Sequence, residues 1–228
     1  MPNVALWRAR RDAEDALRRE LSPYKELVEA SFLLLDRLAR SLESLPSASG
    51  VACALVVGKA RNLALGCYSL SLDGLSQEAG ALLLVLIECQ EVLTYIRIDP
   101  SRVTELLEDR LPSAGKIAQR IDGSLKPVRN YLNTHASHFS SAPEALAHLV
   151  NAKSKSVRLA QRHSTAVLTR NLDTLLVALI WTAIEAANCL GVLGGGDENA
   201  MDAMMLKKRF MELVSRPDVG DTSESLST

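Results

Sequence analysis

Paired cysteines are missing from this 228-residue sequence. Its four cysteines, Cys53, Cys67, Cys89 and Cys189, lie 14, 22 and 100 residues apart and form no C-x-x-C pair. The four histidines are scattered too, so no zinc-ligand set and no disulfide framework is expected, which fits a reduced, cytoplasmic chain. Glu78, Glu88 and Glu91 share one segment, but no Glu-x-x-His pair exists to make a di-iron carboxylate bundle of them. Gly194-Gly195-Gly196 is not followed by Gly-Lys-Ser/Thr, nor preceded by a strand, so it reads as a helix end rather than a phosphate loop. No cofactor is expected. The opening MPNVALWRARRDAEDALRREL lacks the apolar core of a secretory signal and is too acidic for a transit peptide. Long apolar runs are also lacking. The richest, Ala79–Ile87 and Thr174–Ile184, hold nine and eleven residues without a charge, whereas a spanning helix wants about twenty. Both are expected as helices inside a soluble core.

What is present has a helical period. The apolar side of one segment reads Tyr24, Val28, Ser31, Leu35, Leu38, Leu42, Leu45, a heptad stripe with a single polar interruption. Ser22-Pro23 is expected to open this helix as N-cap and first-turn proline, and Pro46 to follow its end. A second helix over Val51–Leu72 should stop at Asp73-Gly74, where glycine takes the left-handed cap. Ser76 restarts the pattern to Ile98, and Asp99-Pro100 begins a shorter helix ending near Pro112. Beyond it come Ser113–Asp122, Leu125–His138 and a helix from Pro143, with Ser141 and Glu144 spaced as a capping box. A break near residues 153–156 precedes a long apolar helix, Val157–Leu193, and Ala200–Val214 is the last. Nothing alternates with period two for long enough to make a convincing strand. The reading is an all-α bundle of about seven to nine helices in one domain over residues 1–216, with a disordered polar tail at 217–228.

Charge is distributed unevenly behind a net of −1. Residues 1–109 carry −4, residues 110–172 carry +8, and residues 173–228 carry −5. No acidic residue lies between Glu144 and Asp173, where Lys153, Lys155, Arg158, Arg162 and Arg170 all fall. Either these cations close ion pairs with the acidic flanks, or they form a basic surface for a polyanion such as RNA. The arginines at 8, 10, 11, 18 and 19 alternate with acids and are expected on a solvated helix face.

Inside the basic third stands Arg129-Asn130-Tyr131-Leu132-Asn133-Thr134-His135, with His138 beyond. A histidine moves protons near neutral pH, and an arginine holds a phosphate through two parallel hydrogen bonds. Together, without metal, they suit attack of a ribose 2′-hydroxyl on its own phosphate. On a helix, six residues separate Arg129 and His135 by about 120° and roughly 9 Å, a gap that an arginine at the helix start must reach across. Arg158 and His163 repeat the spacing, but Leu159 follows that arginine.

Arginine, then a polar residue, then histidine after four to six intervening positions resembles the motif of the HEPN superfamily (higher eukaryotes and prokaryotes nucleotide-binding). The resemblance covers residues 50–192, and its specific part is the seven-residue motif. It implies an all-helical, metal-independent ribonuclease or RNA-binding protein of the toxin–antitoxin or phage-defence kind. It also implies Arg129 and His135 as catalytic residues assisted by Asn130, and a homodimer sharing one cleft. Lys126, His138, Lys153, Lys155, Arg158 and Arg162 are the expected RNA contacts. RNA, a second copy and an antitoxin-like protein are the expected partners. The competing expectation is a non-catalytic helical module whose heptad face mediates association.

Overall fold

A computed structural model describes residues 7–123, 125–136, 149–151, 156–157, 163–196 and 198–215. Among them are nine α-helices: α1 (Arg8–Arg19), α2 (Ser22–Glu43), α3 (Ala48–Leu72), α4 (Ser76–Ile98), α5 (Val103–Leu107), α6 (Ala114–Ile121), α7 (Lys126–His135), α8 (Thr165–Val192) and α9 (Glu198–Val214). The all-α bundle read from the sequence is the fold. Its centre is α2, α3, α4 and α8; α9 packs on α2 and α8, and α6 and α7 lie on α4.

The heptad stripe of α2 is spent inside the chain. Leu35, Leu38 and Leu42 are fully buried and pack in the common core with α3, α8 and α9 residues. Ser31, the polar interruption, is buried too and satisfies its hydroxyl by donating to the Leu27 carbonyl at 2.7 Å. A second copy of the chain therefore has to use another surface.

Local signals place the helix ends. Ser47 caps α3 by accepting from the Gly50 amide at 3.1 Å, while Gly74 takes φ 76° to turn the chain into α4. Ser22 lies one residue inside α2; Leu21 occupies its cap position without a side-chain cap bond. Arg10 departs from the solvated face expected of it. Its guanidinium reaches across to the end of α3, donating to Asp73 through two nitrogens at 2.6 Å each and to Ser69.

Two expectations are corrected. The long apolar helix does not start at Val157. Val157 and Ser156 instead pair antiparallel with Val150 and Asn151 in a two-stranded ribbon, β1 (Val150–Asn151) and β2 (Ser156–Val157). Helix α8 begins at Thr165, where extended Ser164 accepts from the Val167 amide. The expectation that no segment is long and apolar enough to span a membrane, which rested on the charge-free runs alone, does not hold for the whole helices. By length and composition α3, α4 and α8, with 25, 23 and 28 residues, could each cross a membrane. In the bundle, most of the apolar window of α4 and of α8 is buried against other helices, while that of α3 is more open. The capping box at Ser141 and Glu144 and the tail at 217–228 lie outside the described residues.

Candidate functional site

Helix α7 carries the motif and is docked on α4. Glycine at position 80 permits the close approach, since a Cβ there would stand 3.0 Å from Ala136 Cβ and 3.3 Å from Leu132 Cδ2. The Gln77 amide donates to the His135 carbonyl at 3.0 Å. At the other end Arg129 meets Glu88 and Glu91, so α7 runs antiparallel to α4.

Pro127 lies in the first turn of α7, which puts Arg129 near the helix start, as expected. Helical side chains lean toward the N-terminus, and from there the guanidinium extends away from the histidine. Its Nη2 is 3.6 Å from Glu88 Oε1 and its Nε 3.2 Å from Glu91 Oε2, with the arginine side chain only 15% exposed. The Glu91 side chain is 2% exposed, and neither of its oxygens receives a hydrogen bond; Arg129 Nε makes none. The ion pair is thus close but not aligned. Burial pushes the Glu91 carboxyl up to about 7 against the opposing pull of Arg129, with Glu88 adding to the rise.

His135 closes the far end of the helix. Glu88 is eleven residues beyond Gln77 on α4, so the points gripped by the guanidinium and by the histidine backbone are roughly 16 Å apart. The His135 ring lies 4.7 Å from that of Tyr131, and its Nδ1 is buried without a hydrogen bond. Asn130 is exposed, and its carbonyl accepts from the Thr134 hydroxyl at 3.0 Å. The structure therefore gathers Tyr131 and His135, with Lys126 and Asn130 exposed on the same helix, and turns Arg129 elsewhere. His138, Lys153, Lys155, Arg158 and Arg162 lie outside the described residues.

Of the described cations of the basic third, several make contacts within the chain and Lys126 is left open. Arg129 neutralises buried acid, Arg120 donates to the Tyr95 hydroxyl at 2.8 Å, and Arg110 pairs with Glu108. Lys126 stays 59% exposed, with Asp122 no nearer than 3.9 Å. Among the described residues no group of three His, Cys, Asp or Glu side chains is placed to hold a metal ion.

Sequence reasoning weighed Glu91 only as a metal ligand and missed it as the partner of Arg129. Position 91 is a charge in an apolar helix, and the signal was there: Glu88 and Glu91 are one turn apart, facing a basic helix 38 residues on. A cleft of about 590 Å³ opens at the same carboxylates, walled by apolar side chains of α3, α4 and α5. Compared with known proteins, the chain matches no family model, no curated protein and no solved structure.

Proposed function

We propose that the chain is a helical RNA-binding protein that contacts single-stranded RNA through the outer face of α7. One observation carries this reading: Tyr131, 62% exposed, lies against His135 on the helix that also exposes Lys126 and Asn130. An exposed ring accepts a stacked base, the lysine attracts phosphate, and the amide group offers hydrogen bonds to base edges. The +8 charge of residues 110–172 supplies the long-range attraction. The test is a titration of fluorescent single-stranded RNA at several salt concentrations. Affinity should fall with salt, and Lys126→Ala should lower the slope by about one. Binding indifferent to salt would overturn the reading.

The resemblance to HEPN proteins adds metal-independent cleavage as a second reading. The unaligned contact of Arg129 with Glu91 favours it, because a guanidinium without a hydrogen bond from Nε is more easily released toward a phosphate. Cleavage would then need Arg129 to leave the carboxylates and His135 to act as acid or base. Incubation with RNA in excess EDTA tests this, with His135→Ala expected to abolish product; equal cleavage by both proteins, or loss of cleavage caused by EDTA alone, excludes it. On either reading the setting proposed is cytoplasmic, with a homodimer and an antitoxin-like protein as further partners. Helix α9 offers a surface for such contacts, since Met201, Met204, Met205 and Met211 are all more than half exposed.

A further inference from the structure

The open flank of α3 borders a cleft that the outer face of α7 does not use. It lies between α3, α4 and the segment from α5 to the start of α6, with about 590 Å³ of space. On α3 it is lined from Ala52 to Lys59 and on α4 from Val85 to Val92, so it runs along two helical turns, about 10 Å. Leu106 and Leu107 of α5 and Ile117 of α6 form its third side. At the rim Leu55 is 68% and Leu107 52% exposed, an apolar edge left to water.

The lining is aliphatic. Among the described residues that form it, leucine, valine, isoleucine, alanine and proline predominate, and no aromatic ring is there to stack on a flat ligand. Burial pushes the Cys89 thiol up to about 11, so it stays neutral and acts as one more apolar wall group. Glu91 opens no charge to the cleft, because both its oxygens are inaccessible and Arg129 stands against one of them. Glu88 is 29% exposed, with Arg129 Nη2 3.6 Å away.

Lys59 differs from these acids. It is exposed and has no ion-pair or hydrogen-bond partner among the described residues. It also lines an adjoining cleft of about 610 Å³, which shares Leu55 with the first. A lysine stem lies along apolar surface while its ammonium stays in water. The unpaired cation therefore stands where the aliphatic lining meets solvent.

Aliphatic walls two turns long, with one open cation at the rim, suit a flexible apolar chain that ends in an anion. We infer that the cleft binds a single-chain fatty acid, its tail between α3 and α4 and its carboxylate at the Lys59 ammonium. Each methylene removed from water adds to the affinity, whereas an exposed ion pair contributes little. The tail thus sets the strength of binding, and Lys59 sets the preferred sign of the head. Glu88, on α4, repels a carboxylate that moves across from α3, which keeps the head at Lys59. No bond is made or broken.

Decanoate is the probe, because its extended tail matches the cleft in length. Its binding to the full chain is measured by calorimetry at pH 8, below its micelle-forming concentration, beside decyltrimethylammonium, which has the same tail and the opposite charge. The wild type should bind one decanoate saturably, and the cationic amphiphile about tenfold more weakly. Lys59→Glu, a change at an exposed position, should weaken decanoate about tenfold and strengthen the cation. Val56→Phe takes the space that the tails need and should weaken both amphiphiles about tenfold. Circular dichroism confirms that each variant is folded, and either variant alone suffices for the test. The inference is overturned if the wild type shows no saturable decanoate binding. It is equally overturned if folded Lys59→Glu keeps the wild-type preference for the anion, or if folded Val56→Phe binds decanoate as the wild type does. RNA binding by the α7 face is read separately, and neither result bears on the other.

Discussion

Arg129 Nε lies 3.2 Å from Glu91 Oε2, yet neither atom is hydrogen-bonded. The contact joins two helices 38 residues apart in sequence and buries most of both side chains. It gives Arg129 a structural task, holding α7 on α4, before any chemistry is asked of it.

Glu91 sets a pH dependence with a definite sign. Its folded carboxyl titrates near 7, above the ordinary 4.5, so between these values the folded chain holds a proton that the unfolded chain has released. Its contribution to stability is therefore complete below about pH 4.5 and is lost as pH rises toward 7. The shift corresponds to about 3 kcal/mol at most. Glu91→Gln should remove this part of the slope and be more stable than the wild type at pH 8. Urea unfolding of both proteins from pH 5 to pH 8 checks it, and parallel curves would contradict it.

Arg129→Met should cost about 3 kcal/mol at pH 8, because it leaves a buried carboxylate without its compensating charge. At pH 5.5, where Glu91 is protonated, the cost should shrink. Adding Glu91→Gln should recover most of the loss at pH 8. A double-mutant cycle by chemical denaturation measures this coupling, and strict additivity would count against the pair.

Gly80→Val should loosen α7. The new Cβ meets Ala136 at 3.0 Å and Leu132 at 3.3 Å, and its branches enlarge the clash, at a cost of about 1–3 kcal/mol. Hydrogen exchange should speed up across residues 126–135 and stay slow in α8. Unchanged protection in α7 would show that the glycine is not what seats it.

Much of the bundle was legible because it depends on local signals. The α2 stripe and the α3 end at Asp73-Gly74 were readable from spacing and turn chemistry alone. The start of α8 was not. Val157 has an apolar side chain at helical register, but it pairs antiparallel with Val150, seven residues earlier, and periodicity does not report such a pairing. The candidate site was half legible. Wheel angles located Arg129 and His135 on α7, whereas the direction of a long side chain depends on what waits for it on another helix. Glu88 and Glu91 were waiting, and a carboxylate in a sequence looks solvated until packing buries it.

The proposed RNA binding rests on Tyr131, the exposed ring beside His135, as the platform on which a base would stack. Its removal touches no core contact, so folding and function separate cleanly there. Fluorescence anisotropy of a labelled single-stranded RNA is the direct measurement, made on wild type and Tyr131→Ala at fixed salt with melting midpoints recorded alongside. The account predicts wild-type binding and a loss of about tenfold or more in the variant, worth roughly 1–3 kcal/mol, at an unchanged midpoint. Equal affinities for the two proteins, or no RNA binding by the wild type, would contradict it.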